Sequence, residues 1–316
     1  LPQGEKTAGS DDLWFVRTDD TGNLLWSRTF GGTKDDYGFA LAPLADGGFA
    51  LAGRTNSTDL PQGQKTAGNW DFWLVRIDGA GTLVWNRTFG GTSNETAWAV
   101  TQLADGGFAL AGQTNSTDLP QGQKTAGEDA WLVRTNAAGN LLWNRTFGGS
   151  GYDALTAVTP LAGGGFALAG STASTDLPQG QKTAGSYDLW LIRTDDAGNL
   201  LWSRTFGGTN SDQGAALTPL AGGGFALAGQ TKSTDLPQGQ KTTGGADFWL
   251  VRTDAWGNID CKEAGVCAGK TATDCDDGNG CTADLCDAAK GCTHAAAVDG
   301  TPCTGGQSCK AGACVK

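Results

Sequence analysis

The chain has 316 residues, 51 of them glycine, with a formal net charge of -11 and a sequence pI of about 4.5. Such acidity argues against a phosphate-binding surface, which needs clustered Lys and Arg, so nucleic acid is set aside as a partner. No apolar run approaches the roughly 18 residues that a membrane-spanning helix requires, so no membrane span is expected.

The chain writes one sentence five times. Trp14, Trp73, Trp131, Trp190 and Trp249 lead the copies at steps of 59, 58, 59 and 59 residues. A fixed period of this size means stacked or ringed copies of one supersecondary unit. Residues 1–259 form the repeat region, and residues 260–316 differ in composition and form a second module. The sequence begins at Leu1 inside a repeat rather than with Met and a signal peptide, so upstream repeats are expected.

In chain order, a lone pair of apolar segments spans 13–30, and fuller units follow. The second copy illustrates them when a unit is phased across the written repeat, with the first segment at 97–103, the second at 108–113, the third at 72–77 and the fourth at 83–89, each five to eight residues long and rich in Val, Leu, Phe, Trp and Thr. They are too short for typical helices and read as strands. Asp105-Gly106-Gly107 and Asp19-Asp20-Thr21-Gly22-Asn23 supply hairpin turns, in which glycine takes the positive φ that a tight connection needs. Phe72, Trp73, Leu74 and Val75 are apolar on both faces of their strand, so each four-stranded antiparallel sheet must be covered on both sides. Sheets packed face to face around an axis meet that demand, which predicts an all-β fold, a β-propeller of five or more blades if complete. There are five copies of the third strand but four of the first two, and the last outer strand fades at 257–260. The half blade at 13–30 could join the last blade, belong to a blade whose partners lie upstream, or pair with another chain. A ring completed by further sequence is the favoured expectation, because an open array leaves naked edges.

Between the second and third strands lies a nearly invariant Pro- and Gly-containing insert, beginning at Leu60, Leu119, Leu177 and Leu236. It reads as a loop on one rim, either packing between blades or presenting Gln and Lys to a multivalent partner. Asp12, Asp71, Asp129, Asp188 and Asp247 precede the strand Trp by two residues and read as turn-capping aspartates. Asp36, Glu95, Asp153 and Asp212 lie six residues after Phe30, Phe89, Phe147 and Phe206, at the start of what should be the innermost strand, while their neighbours vary. A ring of hard oxygens there could hold Ca²⁺, or attract a cationic or sugar ligand; turn capping is the competing use. Of the sequons at Asn56, Asn86, Asn94, Asn115 and Asn144, the second and last sit on a strand, and all are treated as incidental.

The run Asp188-Leu189-Trp190-Leu191-Ile192-Arg193, with Gly198-Asn199, Trp202, Thr205-Phe206-Gly207-Gly208 and then Gly223-Gly224-Phe225-Ala226-Leu227-Ala228-Gly229, resembles a repeat of bacterial secreted and cell-surface proteins. The resemblance covers residues 1–259, implies a propeller and transfers little function. In outline the units also resemble WD40 blades, but the G-H and W-D dipeptides are missing. The segment from Arg17 to Trp26 resembles the tryptophan-docking hairpin of quinoprotein dehydrogenases, a device that locks neighbouring blades; the cofactor-site features of those enzymes are missing. The run Ser57-Thr58-Asp59 does not complete a sialidase box.

All nine cysteines lie in the tail, at Cys261, Cys267, Cys275, Cys281, Cys286, Cys292, Cys303, Cys309 and Cys314. That density without any C-x-x-C points to disulfides rather than zinc, and to a secreted or cell-surface setting; an odd count leaves one thiol free or bridged elsewhere. The stretch 274–282 resembles D-G-N-x-C-T modules of similar bacterial surface proteins, and its Asp274, Asp276, Asp277 and Asn279 are candidate Ca²⁺ ligands, although the EF-hand order and closing Glu are missing.

The only histidine, His294, is in the tail, so no H-E-x-x-H and no Ser-His-Asp triad can be built within the repeats. The expectation is a non-catalytic extracellular or cell-surface propeller for adhesion, assembly or binding, its partner an extracellular protein, a glycan or a second copy of itself. The alternatives are a structural subunit of an extracellular filament or coat, and a carboxylate-dependent glycoside hydrolase or lyase.

Overall fold

The structure, a computed structural model, describes residues 11–61, 69–120, 127–177, 186–221, 223–236 and 245–259, and the backbone of five short strands in the tail. The chain divides into two compact units, Leu1–Pro219 with Leu227–Leu250, and Leu220–Ala226 with Val251–Lys316.

The described residues contain strands and turns and no helix. A hairpin of β1 (Leu13–Thr18) and β2 (Leu24–Phe30) comes first. Three four-stranded antiparallel sheets follow: β3 (Asp36–Pro43), β4 (Phe49–Thr55), β5 (Asp71–Ile77) and β6 (Leu83–Phe89); then β7 (Glu95–Gln102), β8 (Phe108–Thr114), β9 (Asp129–Thr135) and β10 (Leu141–Phe147); then β11 (Asp153–Pro160), β12 (Phe166–Thr172), β13 (Asp188–Thr194) and β14 (Leu200–Phe206). A three-stranded sheet of β15 (Asp212–Pro219), β16 (Phe225–Thr231) and β17 (Asp247–Thr253) completes the repeats. Sequence periodicity finds these strands, but the segments at 72–89 and 97–113 fall in different sheets: β5 and β6 pair with the strands before them. The structural unit therefore starts at the carboxylate after each Phe-Gly-Gly. In the tail, β18 (Thr282–Asp287) pairs with β19 (Gly291–Ala296), and β20 (Pro302–Cys303), β21 (Gln307–Lys310) and β22 (Ala313–Val315) form a second small sheet. The backbone register sets Cys286 opposite Cys292 and Cys309 opposite Cys314. Cys261, Cys267, Cys275 and Cys281, and the candidate ligands Asp274, Asp276, Asp277 and Asn279, lie outside the described residues.

In the three four-stranded sheets the third strand is the core, because its residues are apolar on both faces and both faces are covered. Trp73, Trp131 and Trp190 are almost wholly buried. Trp131 and Val133 pack in one cluster with Phe72 and Leu74 of the preceding sheet, and Trp190 and Ile192 do the same with Ala130 and Leu132. A buried Trp of this kind holds about 3–5 kcal/mol against truncation to Ala.

The fourth strand supplies a second lock. Trp26, Trp85 and Trp143 lie under the hairpin glycines Gly81, Gly139 and Gly198 of the next sheet, so close that a Cβ at Gly198 would stand 2.6 Å from the Trp143 ring. These glycines also have φ near +80°, so the turn and the docked ring both require Gly. Arg28, Arg87 and Arg145 stack over the same indoles at 5.3 to 5.6 Å. The tryptophan-docking hairpin read in the sequence is thus a joint between neighbouring sheets. The strand asparagines of two sequons are also structural: Asn86 and Asn144 are buried, accept from the Trp73 and Trp131 indole N–H at 3.3 and 3.1 Å, and donate to the carbonyls of Pro61 and Pro120.

Candidate functional site

The four carboxylates singled out by their spacing open the first strand of each sheet, β3, β7, β11 and β15, and all four are fully buried. Asp36 accepts the Gly32 N–H at 2.8 Å, the Ser57 hydroxyl at 2.7 Å and the Thr55 hydroxyl. Asp212 repeats the arrangement with Gly208, Ser233 and Thr231. Glu95 takes the Gly91 N–H and the Thr114 hydroxyl, and Asp153 takes the Gly149 N–H and the Ser174 hydroxyl. Each carboxylate is thus capped by backbone and hydroxyl donors, although Asp153 Oδ1 is buried without a hydrogen-bond partner. The Asp of the D-x-W strand stands beside it: a Cβ on Gly90 would meet Glu95 Oε2 at 2.4 Å and Asp71 Oδ1 at 2.7 Å, and Gly31, Gly148 and Gly207 sit the same way. The Phe-Gly-Gly motif is therefore glycine because two carboxylates close over it. Burial raises the Asp36 pKa, its Thr55, Gly32 and Ser57 bonds oppose that, and the charge of Asp12 adds to it.

The Ser-Thr-Asp runs clip the loop after each Gly-Gly. Asp59, Asp118, Asp176 and Asp235 accept the backbone N–H of Thr33, Thr92, Ser150 and Thr209 at 2.8 to 3.0 Å, and these bonds hold their pKa values below the usual carboxylate range. Among the described residues no group of three or more His, Cys, Asp or Glu side chains is arranged to hold a metal ion.

The surface with chemistry to offer lies next to the buried carboxylates. In each four-stranded sheet the pairing of the first two strands carries a β-bulge: the register of β3 on β4 shifts between Gly38 and Ala40, that of β7 on β8 between Ala97 and Ala99, and that of β11 on β12 between Leu155 and Ala157. The extra residues are Phe39, Trp98 and Thr156. The partner position is always glycine, Gly53, Gly112 or Gly170, because a Cβ there would lie about 2 Å from a carbonyl oxygen of the bulged strand. A bulge re-aims the side chain it ejects. Phe39 is 40% exposed and packs on the half-buried Trp98 with ring centroids 4.5 Å apart. Beside them Arg54 stacks on Trp70 at 4.3 Å and on Tyr37 at 5.2 Å, and Tyr37 donates to Asp11 at 2.8 Å.

Gln113 is the polar hub of the strip. Its carbonyl oxygen accepts from the Trp98 indole at 3.1 Å and the Tyr152 phenol at 2.7 Å, and its amide donates to Glu128. Burial and the Glu128 charge push the Tyr152 pKa to about 12, so it is a phenol donor at neutral pH. Tyr152 continues to Tyr187 at 5.6 Å. All these side chains are partly exposed. They also occupy the positions where the copies differ: Tyr37, Thr96, Ala154 and Gln213 are equivalents, as are Phe39, Trp98, Thr156 and Ala215, and Arg54, Gln113, Ser171 and Gln230. The carboxylates repeat in every copy, whereas the residues that form the strip beside them do not. A position-by-position comparison of the copies marks the strip in the sequence.

Residues 274–296 match a repeat family described as Dicty_CTDC, a Dictyostelium (slime mold) repeat. The chain is 28% identical over 182 residues to the regulatory protein FlaEY of Caulobacter vibrioides, a match covering 54% of this chain and 19% of that protein. The chain thus spans about a fifth of the length of the curated relative it matches. A crystal structure of a Bacteroides caccae protein of unknown function aligns with 79% of this chain and 92% of its own at 10% identity and a TM-score of 0.30.

Proposed function

We propose that this chain is a non-catalytic extracellular or cell-surface binding module, built from the blades of a β-propeller of five or more blades when complete, and that it binds glycans along the inner-strand strip. The observation that carries this is the bulged pair Phe39 and Trp98, two rings turned out of consecutive inner strands and flanked by Arg54, Gln113 and Glu128. A sugar ring presents an apolar C–H face and a rim of hydroxyls; aromatic faces take the first, and a guanidinium, an amide and a carboxylate take the second. The strip's positions change from copy to copy while the carboxylates beneath them keep their place, as a recognition surface on a fixed scaffold would. The burial of Asp36, Glu95, Asp153 and Asp212 beneath their donors supports a binding rather than a hydrolytic role, because a glycosidic bond has no route to them.

A location outside the cytoplasm is supported by the cysteine density of the tail. Glycan-array binding by the whole chain tests the function. Selective binding that Trp98→Ala or Phe39→Ala abolishes, with melting unchanged, supports the proposal; silence on the array, or binding indifferent to both substitutions, refutes it.

A further inference from the structure

The first four-stranded sheet departs from the later ones in a concerted way. At the position of Arg54 the later copies have Gln113, Ser171 and Gln230. At the positions of Tyr37, Phe39 and Trp70 they have Thr96, Trp98 and Glu128, then Ala154, Thr156 and Tyr187, then Gln213, Ala215 and Ala246. The copy that carries the arginine is the copy that carries three rings.

In the fold those rings surround the arginine. The Arg54 guanidinium carbon lies 4.3 Å from the Trp70 ring centroid, 5.2 Å from that of Tyr37 and 5.9 Å from that of Phe39. The cage stands at the joint between the first two four-stranded sheets, where Trp70 bridges to Asn94 and its carbonyl accepts the Glu95 N–H at 2.7 Å. Both sheets that frame it are therefore present.

What the cage lacks is an anion. Arg28, Arg87, Arg145 and Arg204 donate to backbone carbonyls, and Arg76 and Arg134 to the carboxylates of Asp46 and Asp105. Arg54 Nε is instead buried without a hydrogen-bond partner, and among the described residues no carboxylate forms a salt bridge with its guanidinium. The acids beside Tyr37 are engaged elsewhere: Asp11 accepts from the Tyr37 hydroxyl at 2.8 Å, and Asp35 accepts the Asp11 N–H at 3.2 Å. Ring faces suit the flat sides of a guanidinium and leave its in-plane N–H groups, which match the two oxygens of a carboxylate. In a chain with 33 Asp and Glu against 22 Lys and Arg, an arginine held by rings and left without a carboxylate is suited to one brought by a ligand.

We infer that the glycan of the inner strip is acidic: the Phe39 and Trp98 rings carry the sugar face, and Arg54 takes the carboxylate of a uronic or sialic acid in a bidentate pair. The inference rests on the glycan reading above and narrows its ligand class.

The test is an array on which oligosaccharides of uronic and sialic acids stand beside the same oligosaccharides reduced at the carboxyl, with sulfated sugars alongside. The unsubstituted chain should bind an acid about 10–100-fold more tightly than its reduced counterpart, the worth of a hydrogen-bonded charge pair. That preference should shrink as salt is raised. Arg54→Gln, the residue the chain itself carries at 113 and 230, should melt as the unsubstituted chain does and bind both forms alike, as weakly as the unsubstituted chain binds the reduced one. Arg54→Lys, a charge without the planar fork, should recover only part of the preference. Phe39→Ala should abolish binding of both forms. A chain that binds reduced and acidic forms equally, through Phe39, overturns the acid assignment and leaves the glycan reading standing, whereas silence across the array overturns both. A preference that Arg54→Gln retains, or sulfated sugars bound ahead of carboxylated ones, would also overturn the inference.

Discussion

Replacing Asp212 by Asn separates a structural cap from a ligand-binding carboxylate. In the folded chain one oxygen of Asp212 takes the Gly208 N–H at 2.8 Å and the Ser233 hydroxyl at 2.7 Å, and the other takes the Thr231 hydroxyl. Asn keeps the shape and one acceptor, which can stay on Gly208 and Ser233 without the help of a charge. Its NH₂ then faces Thr231, whose oxygen already accepts the Ser233 N–H at 3.1 Å, and the threonine proton loses its partner. Hydrogen bonds to a charged group contribute about 1.5–3 kcal/mol and a buried donor left unpaired costs about 1–3 kcal/mol, so the substitution should cost about 2–4 kcal/mol. In urea, with a slope near 3 kcal/mol/M, the midpoint should fall by about 1 M with the slope unchanged. Asp212→Ala, which removes every acceptor, should cost more. Chelator should leave the melting of the unsubstituted chain where it was. An Asn variant within about 0.5 kcal/mol of the parent, or melting that chelator lowers only when Asp212 is present, would refute the reasoning.

Further outcomes follow from the same geometry. In the third sheet Ser203 stands where β6 and β10 have Asn, and the buried Trp190 indole N–H lacks a hydrogen-bond partner. Ser203→Asn should restore that bond and raise stability by about 1 kcal/mol, seen as a thermal midpoint a few degrees higher; an unchanged or lower midpoint would count against it. Acid should destabilise the repeats. Asp19, lowered to about 2 by Thr21 and Asn23, and Asp59, Asp78, Asp118, Asp176, Asp195 and Asp235, lowered by their turn hydrogen bonds, contribute stability that is present above the unfolded value near 4 and lost as pH falls through the folded values. Asp36, raised mainly by burial, has the opposite sign: its contribution is present at low pH and lost as pH rises through its folded value. With many lowered groups against one raised, urea midpoints should be flat above pH 5 and fall between about pH 4 and pH 2; midpoints that rise on acidification would contradict this.

The sheets were legible because each strand announces itself twice, by apolar residues on both faces and by a Gly-containing turn with an Asp or Asn that caps it. Trp131 reads as core from sequence and is core. The strand order within a unit was legible too, because the insert at Leu60 falls between the second and third strands and the lone pair at 13–30 carries only the third and fourth; what the order did not give is the surroundings of the carboxylates. Nor did spacing reveal that Glu95 is buried, because its donors come from Gly91, four residues back, and Thr114, nineteen on. The bulges at Phe39 and Trp98 are invisible to alternation, which assumes a regular ladder. Only the closeness of Gly53 and Gly112 to the opposite carbonyls explains why those strands eject a ring.

The most direct test of the account is hydrogen exchange on the chain with and without a glycan chosen by the array. Glycan recognition by the inner strip predicts new protection in peptides covering 36–43 and 95–102. Protection confined to residues 60–68 and their repeats, or to the cysteine-rich tail, would place recognition elsewhere and contradict the account.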